Sequence, residues 1–268
     1  MCSQVANSSK RSISSTAIIP ECIKIGNNVF IGEYVVVGEN VTIGDNTSIG
    51  SHCVIGSNVE IGNNNIFHPF SSIGGASQSK GGSLEKGGRL VIGNNNVVHE
   101  YCTINIGSLA DGEVTNIGND NIFMAYVHVG HDCQIANNVI LVNNTTLAGH
   151  VRVNEGAILG AFTTVRQFST IGAYSFATES AALSKDVLPY TRVRRSPAVA
   201  LGVNLIGLNR NNFSTEQIKI ISEAYRVIFR RGNTVQEAID WLEQYEKEYS
   251  CLTPMREMLQ LSEQGVVR

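Results

Sequence analysis

The amino-acid sequence predicts a parallel β-helix, and two observations lead to that fold class. First, an apolar branched residue followed by glycine recurs every six positions from Ile25 to Gly62, a period that no α-helix or heptad produces. Hexapeptide repeats build parallel β-helices, in which each hexapeptide forms one flat face and three form a triangular coil. Second, 26 glycines and an aromatic content of 7% suit thin stacked coils better than a globular core.

Each position of the repeat has an expected role. The apolar residue should point inward and stack on its counterparts in neighbouring coils. The glycine, or an Asn or Asp near it, should occupy the corner, where the backbone needs a left-handed conformation. Because three hexapeptides make one coil, residues 18 positions apart should lie directly above one another.

The repeat is interrupted twice, which predicts two inserted loops. It pauses after Ile73 and again after Ile104, and then runs on to Leu183. We therefore expect loops at about residues 75–91 and 105–116, each leaving the prism at a corner and returning to it. Insertions into repeat proteins collect on one face, which is often the binding face.

Beyond Leu183 the pattern becomes helical. Capping-box pairs precede two amphipathic stretches, and a Thr-Pro pair opens a third, since proline suits the first helical position. These predicted starts are Ser214 with Gln217, Thr234 with Glu237, and Thr253 with Pro254. We predict a β-helix over residues 1–190 and a C-terminal helical domain over 191–268. That domain would cover the unpaired strand edge at one open end of the prism.

Charge and composition exclude some classes of function. The net charge of −3 argues against nucleic-acid binding by the whole chain. The charge is uneven, however, because the region from Lys185 to Arg231 holds nine Lys or Arg and three Asp or Glu. That basic region is either a solvated helical surface or a docking site for an acidic partner or a phosphorylated ligand.

The cysteines and the N-terminus predict a cytoplasmic protein. The six cysteines show no paired or metal-binding spacing, which is typical of reduced thiols. The stretch from Met1 to Ser15 lacks the apolar core of a signal peptide. No apolar run has the length that spans a bilayer, so no stable membrane insertion is expected.

Three histidines form the main candidate site. His128, His131 and His150 fall within 23 residues, and position 131 lies one coil below position 149. Because stacked strands are about 4.8 Å apart, His131 and His150 should share one edge. Asp132 follows immediately and is placed to hold an imidazole in one tautomer.

Three interpretations of this cluster stay open from the residues alone. The histidines are ordinary surface residues, or they bind zinc as in the γ-type carbonic anhydrases, which use this kind of prism. Alternatively, one histidine is the general base for acyl transfer to a hydroxyl group, a reaction that hexapeptide prisms often host.

Three longer motifs resemble a known family. The segments 125–133 (AYVHVGHDC), 143–151 (NNTTLAGHV) and 202–210 (GVNLIGLNR) resemble the acyl-carrier-protein-dependent UDP-N-acetylglucosamine O-acyltransferases. The resemblance implies a left-handed β-helix, a homotrimer with active sites between adjacent prisms, and the first step of lipid A synthesis. In that reaction a 3-hydroxyacyl chain passes from acyl carrier protein to the glucosamine 3-position of UDP-N-acetylglucosamine. It implies no cofactor or metal beyond the phosphopantetheine that carries the acyl donor.

The resemblance also implies roles for single residues. His131 becomes the general base, Asp132 its orienting carboxylate, and the Gly149 N–H the oxyanion donor. Further expected contacts with the substrates are His128 and His150 at the sugar and acyl site, Gln167 on the pantetheine path, Gln78 and Lys80 in the first loop, Asn204 and Arg210 at the nucleotide, and Phe176 and Glu179 at the acyl tail. Acyl carrier proteins are acidic, which gives the basic region a candidate partner.

Several residues depart from the family pattern. They are Asn105 and Arg166 in place of histidines, Ile206 in place of an acidic residue, Asn211 in place of an arginine, Glu179 in place of a small or apolar residue, and Lys80 at an unusual distance from Gln78. A carboxylate at 179 resists burial against a long hydrocarbon. The alternatives are therefore a paralogue with another acceptor or an acetyl-CoA donor, and a zinc-dependent lyase that uses the three histidines.

Overall fold

The computed structural model describes residues 12–78, 88–108 and 114–268. Most of this length consists of very short parallel strands, and helices occupy the C-terminal part. The strands in chain order are β1 Ser12–Ile13, β2 Lys24–Ile25, β3 Phe30–Ile31, β4 Val36–Val37, β5 Thr42–Ile43, β6 Ser48–Ile49, β7 Val54–Ile55, β8 Val59–Ile61, β9 Ile66–Phe67, β10 Ser72–Gly75, β11 Arg89–Ile92, β12 Val97–Val98, β13 Thr103–Asn105, β14 Val114–Ile117, β15 Ile122–Phe123, β16 His128–Val129, β17 Gln134–Ile135, β18 Ile140–Leu141, β19 Thr146–Leu147, β20 Arg152–Val153, β21 Ile158–Leu159, β22 Thr164–Val165, β23 Thr170–Ile171, β24 Phe176–Ala177, β25 Ala182–Leu183, β26 Thr191–Arg194 and β27 Val199–Val203.

The strands form three sheets, one for each face of a triangular prism. Sheet A contains β1, β3, β6, β9, β12, β15, β18, β21, β24, β26 and β27; sheet B contains β4, β7, β10, β13, β16, β19, β22 and β25; sheet C contains β2, β5, β8, β11, β14, β17, β20 and β23. Outside the two insertions, the paired residues of β1 to β25 are 18 positions apart, as in the pairing of Val129 with Leu147. The chain therefore makes one coil every 18 residues, as predicted.

Each two-residue strand points one side chain out and one side chain in. The second residue is the buried one, so Ile31, Ile49 and Phe67 follow one another up the interior of sheet A. Repetition of this pattern on three faces produces one continuous apolar core along the prism axis. The period of six in the sequence thus corresponds directly to burial.

The repeat glycines from Gly26 to Gly62 do not occupy the left-handed corner, whereas the expected alternative, a nearby asparagine or aspartate, does so at many corners. The left-handed corner conformation falls two residues later, for instance at Asn28 and Tyr34, with φ of 55° and 59°. A Cβ at Gly38 would lie 2.6 Å from the backbone nitrogen of Ser57 in the next coil. Glycine is therefore needed because adjacent coils approach closely, and the conformation that favours glycine is taken by other residues.

Both insertions leave the prism at the same corner. The first connects β10 of sheet B to β11 of sheet C, and the second connects β13 to β14 of the same two sheets. The regular structure reaches into both predicted loops, because β11 begins at Arg89 and pairs with β14 from Val114 onward. The two insertions therefore flank one edge, the corner between sheets B and C.

The C-terminal region does not begin with a helix at residue 191, where the helical domain was predicted to start. The chain first forms β26, which continues sheet A, and β27, which pairs antiparallel with β26. The helices follow: α1 Leu205–Arg210, α2 Thr215–Phe229, α3 Val235–Tyr245, a 3-10 turn Ser250–Leu252 and α4 Thr253–Leu261. No helix in the described ranges has the length and apolar character needed to cross a membrane.

The helix starts occur where capping chemistry predicts them. Ser214 and Gln217 form a reciprocal capping box at α2, and Thr234 and Glu237 form another at α3. Pro254 lies in the first turn of α4. The helices enclose a second apolar cluster that includes Leu188 and Tyr190 of the last coil, so the helical part closes that end of the prism.

Candidate active site

The candidate site lies at the corner between sheets B and C, where two columns of residues stack along the prism. The first column is His131, Gly149 and Gln167, and the second is Asp132, His150 and Phe168. The coils are joined here by backbone hydrogen bonds, from His150 N–H to the His131 carbonyl at 2.9 Å and from Phe168 N–H to the Gly149 carbonyl at 3.2 Å. The second column has a left-handed backbone, with φ between 60° and 66°.

Asp132 holds His131 in place. One carboxylate oxygen, Oδ2, lies 2.8 Å from Nδ1 of His131 and accepts a hydrogen bond from Ser108 Oγ at 2.6 Å. The Ser108 N–H donates to the same carboxylate at 3.0 and 3.1 Å, and the Asp132 N–H donates to Thr115 Oγ1 at 2.9 Å. The Asp132 side chain is only 3% exposed, so these contacts define its position.

These contacts keep Asp132 ionised. Burial acts to raise the pKa of its carboxyl group, but the hydrogen bonds from Ser108 and His131 outweigh burial and lower the pKa below its ordinary value. An ionised carboxylate accepts a proton-bearing nitrogen, so Nδ1 of His131 carries hydrogen. The opposite ring nitrogen, Nε2, then has a free lone pair and can accept a proton.

Gly149 packs directly against the His131 ring. A Cβ at position 149 would lie 2.5 Å from both Cε1 and Nε2 of that imidazole, so only glycine allows this approach. Within the described residues the Gly149 N–H donates no hydrogen bond. The basic nitrogen of His131 and an available backbone donor therefore share one small region.

The neighbouring histidines are also held by specific contacts. The ring of His150 meets that of His131 edge-on at a centroid distance of 5.1 Å and stacks on Phe168 at 4.6 Å. His128 shares a hydrogen bond of 2.7 Å with Thr103 through Nδ1. Burial, and then the nearby His131, lower the pKa of His128, which favours its neutral form.

An open cavity of about 940 Å³ extends from this corner along the outer face of sheet C. Its lining includes Asp132 and His150 of the corner, Arg152 of sheet C and Leu261 of α4. Three carboxylates line the cavity beside that one arginine, so it connects the histidine corner to the helical region through a polar surface of mixed charge.

The other predicted substrate residues are distributed over the structure. Gln78 is exposed at the described end of the first insertion, on the same corner, and Gln167 is exposed one coil beyond Gly149. Lys80 lies outside the described residues. Arg210 is exposed in the last turn of α1, several coils from His131.

Asn204 has a structural role at the start of the helical region. Its Oδ1 accepts a hydrogen bond from Gly207 N–H at 3.1 Å, which caps α1, and its Nδ2 donates to the Tyr174 carbonyl at 2.9 Å. The residue is buried. These contacts join α1 to the β-helix, and binding of a nucleotide by Asn204 stays a prediction.

The two residues expected at the acyl tail lie away from His131 in a single chain. Phe176 is half-buried on the outer face of sheet A, and Glu179 is exposed at the corner between sheets A and B. His131 occupies the corner between sheets B and C. One face of the prism, on the order of 15 Å of extended chain, separates the two corners.

The structure does not bring His128, His131 and His150 together as the zinc hypothesis requires. Among the described residues, the group of possible ligands at this corner is His131, Asp132 and His150, without His128. Within that group the distance of 2.8 Å from His131 Nδ1 to Asp132 Oδ2 is that of a hydrogen bond. The contacts support an oriented base at this corner.

Sequence reasoning missed three residues that shape the site. Ser108 binds Asp132, Thr115 accepts the Asp132 N–H, and Phe168 supports His150. Ser108 lies within the interval predicted as the second loop, where no period assigns a neighbour. Phe168 was within reach of sequence analysis, since it lies 18 positions after His150.

Comparison with known proteins defines first a class and then a family. The class is that of the hexapeptide transferases, since a family model described as bacterial transferase hexapeptide (six repeats) matches residues 22–57, 40–75 and 115–149. A second family model, described as Udp N-acetylglucosamine O-acyltransferase, domain 2, matches residues 186–267.

The family is shown by close relatives. The acyl-[acyl-carrier-protein]–UDP-N-acetylglucosamine O-acyltransferase of Janthinobacterium sp. (strain Marseille) is 42% identical over 210 residues, covering 76% of this chain and 79% of that protein. That of Herminiimonas arsenicoxydans is 40% identical over 209 residues, with the same coverage. The chain belongs to the UDP-N-acetylglucosamine O-acyltransferase family.

Solved structures agree over nearly the whole chain. The UDP-N-acetylglucosamine acyltransferase of Francisella novicida superposes with a TM-score of 0.93 at 38% identity, covering 96% of this chain and 94% of that one. That of Moraxella catarrhalis RH4 also has a TM-score of 0.93, at 35% identity and with 96% and 99% coverage. The predicted family and the left-handed β-helix with a C-terminal helical region are confirmed.

Proposed function

We propose that this protein transfers a 3-hydroxyacyl chain from acyl carrier protein to the 3-position of the glucosamine in UDP-N-acetylglucosamine, the first step of lipid A biosynthesis. The names of its relatives include both substrates, the acyl carrier protein and UDP-N-acetylglucosamine. The observation that carries the proposal is the hydrogen-bonded pair of His131 and Asp132, with Gly149 packed directly against the His131 ring.

The reaction begins with proton removal from the sugar hydroxyl. Asp132 keeps the Nδ1 proton of His131 in place, so Nε2 faces the substrate as the base. The imidazolium that forms is stabilised by the adjacent carboxylate, as in other histidine–carboxylate pairs. The deprotonated sugar oxygen then attacks the thioester carbonyl carbon.

Gly149 serves the second half of the reaction. Attack on the thioester places negative charge on the carbonyl oxygen, which the Gly149 N–H binds. Collapse of this intermediate breaks the carbon–sulfur bond, and the proton held by His131 passes to the departing pantetheine sulfur. No cofactor besides the phosphopantetheine of the acyl carrier enters these steps.

The proposal includes a homotrimer. The outer residues of sheet A form an apolar column, and monomeric proteins rarely expose a large continuous apolar face. From β9 to β24 the column consists of Ile66, Val97, Ile122, Ile140, Ile158 and Phe176, and Ser48 separates it from Phe30. Contact through this face would bring Phe176 and Glu179 of one copy toward another prism, which suits a site completed between subunits.

Acyl carrier protein is proposed to dock on the basic region. Arg192 and Arg194 are exposed on β26, and Arg195 follows them. By contrast, Arg226 and Arg231 pair with Glu223 and are less available. The exposed arginines at the end of the prism offer the positive surface that an acidic carrier requires.

We also propose a cytoplasmic location. Cys53, Cys102 and Cys133 are buried and unpaired. Burial raises the pKa of the Cys102 thiol to about 11 and that of Cys133 to about 12, so both stay protonated. Inert free thiols are typical of proteins in a reducing compartment.

The test is acyl transfer from a panel of 3-hydroxyacyl carrier proteins to UDP-N-acetylglucosamine, with the His131→Ala protein alongside. We expect transfer by the wild type and a loss of at least about 100-fold in the variant. In the same assay, Glu179→Ala should prefer longer acyl chains than the wild type. Glu179→Gln removes the charge and keeps the size of the side chain, so it shows which of the two properties limits the chain length. Transfer from acetyl-CoA alone, or to another sugar nucleotide alone, would overturn the proposal.

A further inference from the structure

A second cluster of possible metal ligands lies on a different edge of the prism. His68 follows β9, and His99 and Glu100 follow β12, all at the corner between sheets A and B. Phe67 pairs with Val98 in the sheet, so His68 and His99 lie directly above one another in adjacent coils. The cluster therefore belongs to the regular fold and is separate from the corner that holds His131.

The three side chains converge. Nδ1 of His68 lies 3.6 Å from Glu100 Oε1, and Nδ1 of His99 lies 3.6 Å from Glu100 Oε2. The two imidazole rings stack with a centroid distance of 4.6 Å and an angle of 6°, so one of these half-exposed rings must turn for both Nδ1 atoms to face a single ion. One ligand atom from each residue lies within 4.8 Å of the others.

At 3.6 Å the two contacts are ion pairs between Glu100 and the imidazoles, and this separation is also close to that of two ligands of one zinc ion. A separation of 3.6 Å is too long for a hydrogen bond. Zinc bonds of about 2.1 Å in tetrahedral geometry place neighbouring ligand atoms about 3.4 Å apart. By contrast, His131 and Asp132 approach to 2.8 Å, which leaves no room for an ion between them.

The ligand atoms at this cluster indicate which kind of metal ion would bind. Two imidazole nitrogens and one carboxylate suit zinc and its transition-metal neighbours, whereas magnesium and calcium prefer oxygen ligands. The side chains are 35–41% exposed, which leaves the remaining position of a tetrahedral ion to water.

We propose that His68, His99 and Glu100 form a zinc site that joins two coils of the β-helix. His68 and His99 are 31 positions apart instead of 18, because the first insertion lies between them. The ion would thus link the two coils between which the chain leaves the prism. Its role is structural, and the acyl-transfer chemistry at His131 does not depend on it.

The test is zinc binding to metal-free protein, measured by competition with a chromogenic chelator. We expect one Zn²⁺ per chain, and a weakening of at least about tenfold in both His99→Ala and Glu100→Gln, since loss of a ligand costs no less than loss of a supporting contact. Zinc should also raise the midpoint of thermal unfolding of the wild type and leave that of His99→Ala unchanged.

Two controls locate the ion. His52→Ala removes another histidine of the same edge, which lies between Tyr34 and Phe70 in a stack of rings, and should bind zinc like the wild type. His131→Ala should do the same. Unchanged binding in His99→Ala, a loss in His131→Ala, or no binding at micromolar zinc would each overturn the proposal. Circular dichroism confirms that the variants are folded.

Discussion

At the scale of the residue, the catalytic corner depends on one short approach between backbone and ring. Gly149 lies so close to His131 that a methyl group has no space. In the proposed mechanism this residue also supplies the oxyanion donor. One glycine would therefore affect both the position of the proposed base and the proposed oxyanion contact.

We expect Gly149→Ala to lower kcat by about 10²- to 10³-fold, the usual range for loss of an oxyanion donor. The added Cβ would displace the imidazole, whose Cε1 and Nε2 are 2.5 Å from its position. Gly202→Ala is the matched control, because no atom lies within 4 Å of a Cβ there. Equal activity of the two variants in steady-state transfer assays would contradict this account.

Asp132 predicts a pH dependence of stability. Its pKa is lowered in the folded protein, so its ionised form stabilises the fold above the unfolded value of about 3.9. That contribution disappears as the pH falls through the folded-state pKa. The free energy of unfolding should therefore decline more steeply below about pH 4 in the wild type than in Asp132→Asn.

The measurement is urea denaturation at several pH values between neutrality and the acid limit of folding. Asp240→Asn is a control at an exposed helix position, where the carboxylate accepts a hydrogen bond from Gln236 Nε2. Its acid dependence should match that of the wild type. A parallel decline in Asp132→Asn and the wild type would show that the Ser108 contacts do not stabilise the charge.

At the scale of the element, buried asparagines tie the coils together. The corner between sheets C and A buries a column of three asparagines from successive coils, Asn65, Asn96 and Asn121. The Asn96 N–H and Nδ2 donate to Asn65 Oδ1 at 2.9 and 3.0 Å, and the Asn121 N–H donates to Asn96 Oδ1 at 3.0 Å. Each side chain satisfies a backbone group of the next coil, which a solenoid corner otherwise leaves unpaired.

Asn96→Ala should lower the free energy of unfolding by about 2–4 kcal/mol, because it leaves buried polar groups without partners. Asn116→Ala makes the same change on the exposed face of sheet C, and its cost should stay within about 0.5 kcal/mol. Chemical denaturation of both variants decides the point. A small effect at Asn96 would mean that water replaces the lost contacts.

At the scale of the whole molecule, the three faces of the prism differ in character. Sheet A is apolar on its outer surface from β9 to β24, whereas sheet C carries Thr42, Gln134 and Arg152 outward. Sheet B presents His128 beside the catalytic corner. This division agrees with the proposal that the copies associate through sheet A and that substrate binds at the corner between sheets B and C.

Replacement of Ile140 by Glu should dissociate the proposed trimer, since a carboxylate in an apolar interface is costly to desolvate. Thr42→Glu, on the outer face of sheet C, should leave the assembly intact. Light scattering after size-exclusion chromatography measures both masses. An unchanged trimer in Ile140→Glu would move the interface to another face.

The six-residue period was sufficient to predict the architecture and part of the site. Residues 18 positions apart share a column, so the proximity of His131, Gly149 and His150 follows from counting. The capping boxes of α2 and α3 were also predictable from the sequence, because capping is a local property of a few neighbouring residues. In each case the physical cause acts over a short or strictly repeated distance.

The tertiary structure determined the contacts that the six-residue period does not predict. Ser108 contacts Asp132 from an insertion that has no repeat, so no count assigns the pair. The chain after residue 190 continues sheet A because β26 completes an edge that the last coil exposes. The role of the repeat glycines was likewise set by the spacing between coils. Periodicity determined which residues share an edge, and packing between coils and insertions determined what they do there.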